Sequence, residues 1–513
     1  MNRLINRQPD MRIFCLLCCL AVCLLFLPIA GQAQADMSRY SVVGRGGVGS
    51  TFVTDYLASG INPANVALEK DFRDPVASFG LLQGGGSFYT ESFKFFELMQ
   101  VAGQSFDIGG KRKAVEKLAD KETSGSGDVI HLGLSVRIPK INTAVAFTVQ
   151  DYFQGYGRLN RNAAELLFLG RQASYFNKLE LATGQIINNP YPDLPPAAVV
   201  RGFSEQVANY SSFFDGTRIS GSWYRAWTVS AGYKLLETYK VALYLGVGVK
   251  LLQGMASVDI KAENGQLAES SLALSPSLGI SMGDSLQDFN PSFAGVDNPS
   301  SFMAGLVFPE PAGSGSGLDL GLHLTLFRNV HLAVALNNFG RMRWRGNAYR
   351  LPDIPLEQFG GSGFNSFNVL NFNPETFNLS GAGSPVQWEG TQENIARLPG
   401  LWRFGLSYDW VNTLHAGFEA VLPANRVAGN LEQPFFALGC DFWLTRAFKF
   451  QTGLNTGGNS SNKVNWSAGL AYHSFKRNFE AGLAFRDMTT FFNQSLGSGS
   501  TLSLSGGFLR FKI

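Results

Sequence analysis

Cysteine is scarce in this chain, and most of it lies near the N-terminus. Cys15, Cys18, Cys19 and Cys23 precede residue 36, and Cys440 alone follows it. If residues 1–35 are removed, as predicted below, a single thiol remains, which excludes an intramolecular disulfide. The mature fold must then be stabilised without covalent cross-links.

Long apolar runs and an excess of one charge are also missing. After Ala30, no apolar run approaches the roughly 20 residues of a membrane-spanning helix. Removing residues 1–35 takes away three Arg and one Asp, and leaves 39 basic against 38 acidic residues. This balance gives no sign of a nucleic-acid partner. No linker divides the chain, so two classes remain: a large soluble β-protein and a membrane β-barrel.

The N-terminus carries the pattern of an export signal. Basic residues at Arg3, Arg7 and Arg12 precede an apolar run from 13 to 30, and Ala33-Gln34-Ala35 follows as an A-x-A cleavage site. This arrangement predicts a secretory signal peptide, residues 1–35, that is cleaved after export. A retained anchor helix is the alternative interpretation.

The rest of the sequence has many segments in which apolar residues alternate with small or polar ones. Leucines at 318, 320, 322, 324 and 326 alternate with Gly317, Asp319, Gly321, His323 and Thr325. A period of two predicts strands with one apolar face. The opposite face is rich in glycine and carries a few charges of both signs, which suits a crowded barrel lumen. The apolar segments run for roughly ten residues, the length that a tilted strand needs to cross a bilayer.

The lengths of the connections set the number of strands. Bacterial outer-membrane barrels have short periplasmic turns and long outer loops. We predict an all-β, antiparallel transmembrane barrel over 77–513, preceded by a hatch at 36–76, with large outer loops at 91–127, 155–216, 259–315 and 348–398. The fourteen predicted strands lie near 77–90, 128–138, 142–154, 217–236, 239–258, 316–326, 330–347, 399–410, 413–423, 433–444, 447–456, 464–474, 478–487 and 499–513.

A fifteenth strand is suggested near 267–283. Accepting it would put a long loop or a short turn on the wrong side of the membrane. We therefore assign 259–315 to one outer excursion.

Several polar side chains fall on the predicted lumen face. We expect them to form an interior ion-pair network, with a metal site as a less favoured alternative because no Cys/His ligand spacing is visible. A hydrolase would need a nucleophile with a base, and His415 near Asp409 or Ser407 is the local candidate. No cofactor is predicted. The predicted lumen residues are His323, His331, Arg403, Asp409, His415, Glu419, Glu480 and Arg486.

Apolar residues also occur in the predicted outer loops. Two interpretations remain open: an apolar surface that receives a ligand, and packing within the loops themselves. The residues concerned are Phe95, Phe96, Leu98, Leu167, Phe168 and Phe176.

The predicted hatch contains two motifs. Gly44, Gly46 and Gly49 form a G-x-G-x-x-G, but no βαβ unit follows, so flexible backbone is favoured over a dinucleotide site. Further on stand Asp55 and Asn62-Pro63-Ala64.

This segment resembles the FadL family of outer-membrane transporters for hydrophobic compounds. Those proteins have a glycine-rich stretch, an acidic residue and Asn-Pro-Ala in a hatch before fourteen strands. The form with Gly60-Ile61 before the motif and Asn65 after it is similar to FadL-like barrels of Bacteroidota. The resemblance covers under a tenth of the chain, and the final Ile513 departs from the usual terminal aromatic residue. It implies gating or ligand roles for Asp55, Asn62, Pro63 and Ala64.

The sequence therefore predicts a porin-like channel in the outer membrane of a Gram-negative bacterium, surrounded by lipid. The resemblance implies passive uptake of hydrophobic small molecules such as long-chain fatty acids or hydrocarbons. An accessory barrel of a secretion or gliding apparatus, binding protein partners at its outer loops, is the alternative. A barrel-embedded hydrolase is the third reading, and we expect the chain not to be an enzyme.

Overall fold

The computed structural model describes most of the chain. The described residues are 36–69, 76–92, 107–193, 198–275, 277, 309–345, 347–364, 388–410, 414–427, 429–431, 433–458, 464–474, 478–488 and 500–512. The predicted signal peptide, together with Phe95, Phe96 and Leu98, lies outside them.

Fourteen antiparallel strands form one closed ring. Each strand pairs with the next in the chain, and the last pairs with the first. The predicted fourteen-stranded antiparallel barrel is confirmed. The strands are β1 Ala77–Thr90, β2 Glu122–Ile138, β3 Thr143–Arg158, β4 Arg218–Glu237, β5 Val241–Glu263, β6 Gly313–Leu326, β7 Val330–Trp344, β8 Leu401–Trp410, β9 Leu414–Pro423, β10 Phe435–Trp443, β11 Phe448–Gly457, β12 Asn465–His473, β13 Phe479–Phe485 and β14 Ser500–Lys512.

The alternation in the sequence separates the two faces of this wall. Leu320 and Leu322 are 45% and 38% exposed, whereas Asp319 and His323 on the other face are fully buried. Exposed Leu, Val, Phe and Trp side chains continue around the ring. A closed ring lets the backbone groups of its strands bond to one another without water, as lipid requires, and the apolar side chains then face the lipid. Within the described residues, no helix has the length and apolarity to cross a membrane.

The two ends of the barrel differ. At one end the connections are short: Pro139–Ile141 forms a single 3₁₀ turn between β2 and β3, and residues 238–240 join β4 to β5. At the other end the connections include a longer excursion between β3 and β4, of which residues 159–193 and 198–217 are described. The wall is also taller on one side, because β1–β7 have 14–23 residues whereas β8–β13 have 7–10. β5 runs to Glu263, beyond its predicted end at 258.

The segment near the suggested fifteenth strand forms a hairpin outside the ring. Gln266–Leu274 pairs with residues 256–263 of β5, past the point where β5 leaves β6. It also pairs with the short strand Ala348–Arg350. It therefore extends the tall wall upward and is not a member of the closed ring; residues 276 and 278–283 lie outside the described part.

The long excursion after β3 folds on a core of its own, which we call the outer-loop unit (residues 159–193, 198–217 and 351–364). Phe176, Phe213 and Phe359 are buried there against one another. Its helix Arg161–Leu169 begins at Asn160, whose side chain accepts a hydrogen bond from the Ala163 amide. The remaining elements are the helices Tyr40–Gly44, Ile108–Leu118 and Tyr210–Phe213, the 3₁₀ turns Asp55–Ala58, Pro63–Val66 and Gly170–Gln172, a small sheet of Lys178–Leu181, Ile186–Asn188, Val199–Phe203 and Gln358–Phe359, and the short strands Glu389–Gly390 and Asn394–Arg397.

Candidate functional site: the plugged lumen

Residues 36–69 lie inside the ring, and we call this segment the plug. It has little regular structure, a five-residue helix and two 3₁₀ turns, yet Tyr56, Ile61 and Asn65 are all fully buried. Ile130 and Ala146 of the wall belong to the same apolar cluster as the plug. A hatch in the lumen is therefore part of the fold.

Glycines on the inner face of the wall make room for the plug. At Gly80 an added Cβ would overlap the Tyr56 ring, at Gly246 the backbone of Ala64, and at Gly405 the Ser50 side chain. A close-packed contact of this kind does not tolerate even one extra methyl group without displacement. We call these wall positions the inner glycines: Gly80, Gly133, Gly232, Gly246, Gly321, Gly405, Gly417, Gly439, Gly453 and Gly482.

Charged side chains of β8 and β9 hold the first part of the plug. Glu419 Oε2 accepts hydrogen bonds from the amides of Gly49 (2.9 Å) and Ser50 (2.8 Å) and from the Ser50 hydroxyl. Arg403 pairs with Asp36 of the plug and lies 3.4 Å from Glu419. All these groups are buried, so each charge depends on its partner.

A second ionic contact lies on β10 and β11. Arg45 of the plug lies 3.0 Å from Asp441, which also receives Lys449 at 2.7 Å. The Arg45 guanidinium stands 4.5 Å from the centre of the Phe52 ring. This contact fixes the glycine-rich stretch of the plug against the wall.

On β2 the carboxylate of Asp128 receives the start of the plug. Its Oδ1 accepts from the Ser38 amide at 3.0 Å, and Arg39 lies 3.9 Å away. Arg39 Nε also donates to the Leu57 carbonyl at 2.8 Å. Arg39 thus links two parts of the plug and the wall.

The last strand provides a further set of contacts. Asp55 pairs with Arg510, and its Oδ1 accepts from the Leu57 amide at 3.1 Å. Arg510 and Lys512 each lie 2.8 Å from Glu480, which also accepts from the Tyr40 hydroxyl. Asp55 is therefore a tether to the wall in this structure.

Asn62-Pro63-Ala64 forms a tight turn against β6. The Asn62 Oδ1 accepts from the Ala64 amide at 3.2 Å, and its Nδ2 donates to the carbonyls of Ser50 (3.3 Å) and Leu322 (3.2 Å). Gly321 lies so close that a Cβ would overlap Asn62 and Pro63. The motif fixes both the plug's own fold and its position on the wall.

The histidines predicted on the lumen face form a chain with one carboxylate. His323 Nε2 lies 3.2 Å from His331 Nδ1, His331 Nε2 lies 3.1 Å from Asp409, and His415 Nδ1 lies 2.8 Å from Asp409. The hydroxyl of Ser407, the proposed nucleophile, has no hydrogen-bond partner within the described part of the chain. Nor do the described residues contain a group of three or more His, Cys, Asp and Glu arranged to hold a metal.

Arg486 is buried as well, with its guanidinium 5.2 Å from the centre of the Phe435 ring.

The apolar residues of the outer loop are part of the packing of the outer-loop unit. Phe168 and Phe176 are 3% and 0% exposed, and Leu167 packs beside the cluster that contains Phe168. Phe168 and Phe176 therefore offer no free apolar surface in this structure, and Leu167 is partly buried. Of the two interpretations that the sequence left open, this placement favours packing within the loop.

Sequence reasoning missed the plug's own charged residues. Arg39, Arg45 and Asp36 supply the partners of wall carboxylates and of Arg403, where we had expected pairs within the wall alone. One signal was available: the stretch 37–54, which contains Arg39 and Arg45, has no Asp or Glu of its own.

The family model of DUF5723, described as a family of unknown function, matches residues 191–505. No protein in the curated set matches the chain. Among solved structures, the P. putida toluene transporter TodX is 11% identical with a TM-score of 0.41, covering 93% of this chain and 99% of its own. The Ralstonia pickettii toluene transporter TbuX is 13% identical (TM-score 0.39; 92% and 98% covered).

A Pseudomonas aeruginosa FadL homologue is 13% identical, with a TM-score of 0.42, and covers 95% of this chain and 99% of its own. Similarity at this level carries no statement about what the chain binds. The family model, in contrast, spans more than half of the sequence. The chain therefore belongs to the family of unknown function DUF5723.

Proposed function

We propose that this chain is an outer-membrane channel for hydrophobic small molecules and that the plug is its gate. The observation that carries the proposal is an apolar cluster in the lumen beside the plug. Tyr152 lies next to Gly60 of the plug and stacks on Tyr224 with ring centres 5.0 Å apart. Leu252, Met342 and Trp344 belong to the same buried cluster.

This cluster gives an apolar ligand a reason to leave water. The cluster is buried while the plug is in place, so a hydrocarbon reaches these side chains when the plug shifts and then gains about 25 cal/mol per Å² of apolar surface buried. A porin for hydrophilic solutes has a polar, water-filled lumen instead. The cluster therefore supports selection for hydrophobic molecules.

The contacts of the plug are suited to a gate. They are non-covalent, mostly polar, and spread over both halves of the ring, so a shift of the plug exchanges them for water. The resemblance of Asp55 and Asn62-Pro63-Ala64 to FadL hatches supports the same role. No ATP-binding or redox motif was found in the sequence, which is consistent with passive movement down a gradient.

Uptake into proteoliposomes tests this proposal. The full chain should admit a radiolabelled long-chain fatty acid or toluene, and should exclude glucose. Trp344→Gln, which makes the cluster polar, should reduce uptake of the hydrophobic probes without admitting glucose. No uptake of either hydrophobic probe by the folded protein would reject the channel.

A protein-binding accessory barrel is the second candidate, and the outer-loop unit favours it. A loop that folds on its own core presents a defined surface, which recognition of a protein needs. Cross-linking in whole cells from residues on the exposed strand Ile186–Asn188 would capture a partner. A captured outer-membrane partner combined with absent uptake would select this role over transport.

A further inference from the structure

A second apolar site lies on the opposite face of the wall, outside the barrel. It is a groove of about 1150 Å³ across β13, β14 and β1–β5, and it ends on the hairpin strand Gln266–Leu274. Phe88, Trp223, Leu272 and Leu504 stand among its lining. We call it the lateral groove.

The floor of the lateral groove is glycine. Strand pairing sets Gly86 opposite Gly127, and sets Gly125 opposite Gly155, which in turn faces Gly221. Neighbouring strands thus lack side chains at the same height, which makes the wall locally thin. We call these positions the outer glycines: Gly84, Gly86, Gly125, Gly127, Gly155, Gly221 and Gly506.

Several of the outer glycines have no steric reason to be glycine. An added Cβ at Gly155 would meet no atom within 4 Å, and at Gly86 and Gly125 the nearest atoms would be 3.5 and 3.8 Å away. Glycine weakens a strand and is depleted there. Because nothing in the described chain occupies the space in front of these residues, an occupant from outside accounts for it.

Trp223 supplies an independent sign of that occupant. Its indole lines the groove and is 9% exposed, and its Nε1 has no hydrogen-bond partner among the described residues. Two other outward tryptophans satisfy theirs within the chain: Trp227 donates to Gln253 at 3.0 Å and Trp466 to Thr452 at 2.9 Å. A buried indole N–H usually finds an acceptor, so the occupant of the groove should offer one.

Polar groups beside the groove indicate its depth in the membrane. Arg225 and Asp151 form a two-point ion pair at 2.6 and 2.8 Å on the outward face, and His131 lies 3.1 Å from Asp151. Charged side chains and tryptophans on an outer wall are typical of the interface between hydrocarbon and water. Lipid ester carbonyls, which are hydrogen-bond acceptors, lie at this same interface.

We propose that the lateral groove binds an acyl chain of a membrane lipid, whose ester carbonyl accepts a hydrogen bond from Trp223. Leu483, Leu504 and Phe508 join the groove to the apolar outer belt, so hydrocarbon reaches it directly. The glycine floor lets the chain lie close to the backbone. The proposal rests on the membrane location of the barrel and is independent of what passes through the lumen.

A matched pair of leucine substitutions tests it. Gly155 and Gly157 lie on the same face of β3, and a Cβ at either meets no atom within 4 Å, but only Gly155 lines the groove. The protein is extracted in mild detergent with phosphatidylcholine, and retained lipid is counted by native mass spectrometry. Wild type and Gly157→Leu should retain a lipid that Gly155→Leu loses.

The acceptor is tested separately. Trp223→Phe should weaken retention of diacyl phosphatidylcholine by roughly fivefold, the effect of one hydrogen bond. The diether analogue, which lacks the carbonyl, should bind wild type as weakly as diacyl lipid binds the variant. Trp227→Phe is the control and should leave retention unchanged.

A measurement that leaves the outer glycines unchanged covers the case in which Gly155→Leu fails to fold. The emission of Trp223 is the difference in fluorescence between wild type and Trp223→Phe. In vesicles of lipid with brominated chains, this emission should be quenched. Equal lipid retention by wild type and Gly155→Leu, an unquenched Trp223, or a polypeptide cross-linked into the groove in place of lipid would each overturn the proposal. None of these results changes the outcome expected in the uptake assays, so the channel proposal and the groove proposal can be rejected independently.

Discussion

The inner and the outer glycines share β1, β2 and β4 but have different physical causes. At Gly246 an added Cβ would overlap the backbone of the plug, whereas at Gly155 it would meet open space. The first kind of glycine is dictated by a partner inside the chain. The second kind has no such partner among the described residues, which is why it points to an occupant outside the chain. Glycine content alone, high as it is in this sequence, does not distinguish the two.

The two faces also differ in how their polar groups are satisfied. Inside, Glu419 accepts three hydrogen bonds from the plug and faces Arg403. Outside, the Trp223 N–H has no acceptor in the described residues. The plug therefore closes the lumen by pairing with the charges of the wall. Removing the plug would leave those wall charges exposed.

Of the predicted effects, the largest should come from deleting residues 36–69. The inner face would lose its partner while the outer face stays intact, so the lumen should open to ions. Single-channel recording in planar bilayers should show a silent full-length chain and a conducting deletion variant. A deletion variant that folds and stays silent would mean that other parts of the chain close the lumen.

Arg403→Met should cost about 3–5 kcal/mol, because it leaves Asp36 and Glu419 as buried charges without their cation. The effect should appear as faster hydrogen exchange at plug amides and as a lower unfolding temperature in detergent. Arg397→Met, an exposed arginine nearby on the same side of the barrel, serves as the control. Equal exchange in both variants would show that the ionic contacts do not hold the plug.

The pair Gly246→Val and Gly155→Val makes the same substitution at one inner and one outer glycine, and so tests directly whether the two kinds differ. The inner substitution overpacks the contact with Ala64 and should destabilise the folded barrel by about 1–3 kcal/mol. The outer substitution fills open space and should change stability by no more than about 0.5 kcal/mol. Unfolding in urea, followed by tryptophan fluorescence, gives both values; similar losses would remove the distinction.

Asn62→Ala should have a smaller effect than Arg403→Met, about 1–2 kcal/mol, from the lost turn cap and the lost hydrogen bonds to Ser50 and Leu322. Limited proteolysis of the plug should become faster while the wall stays resistant. An unchanged cleavage rate would assign the motif a role other than fixing the plug.

Much of the wall follows from the sequence, because alternation is a local signal. Leu320 and His323 fall on opposite faces by counting alone, and short turns such as Pro139–Ile141 fix the strand order. Strand ends on the tall side were harder to predict from the sequence, because β5 continues into a hairpin with Gln266–Leu274 that lies beyond the ring.

The partners across the lumen could not be predicted in the same way. Alternation says that Glu419 and Asp441 point inwards, but it does not say that Ser50 and Arg45 meet them, because those contacts join residues hundreds of positions apart. The lateral groove was equally hidden. Only the register of β2–β4 shows that Gly125, Gly155 and Gly221 fall side by side.

The most direct test of the plug's seating is a paired conductance recording of Gly246→Val and Gly155→Val in planar bilayers. If inner glycines seat the plug, Gly246→Val should show intermittent openings absent from Gly155→Val and from the unsubstituted chain. Silence in both variants, or equal openings in both, would contradict the account.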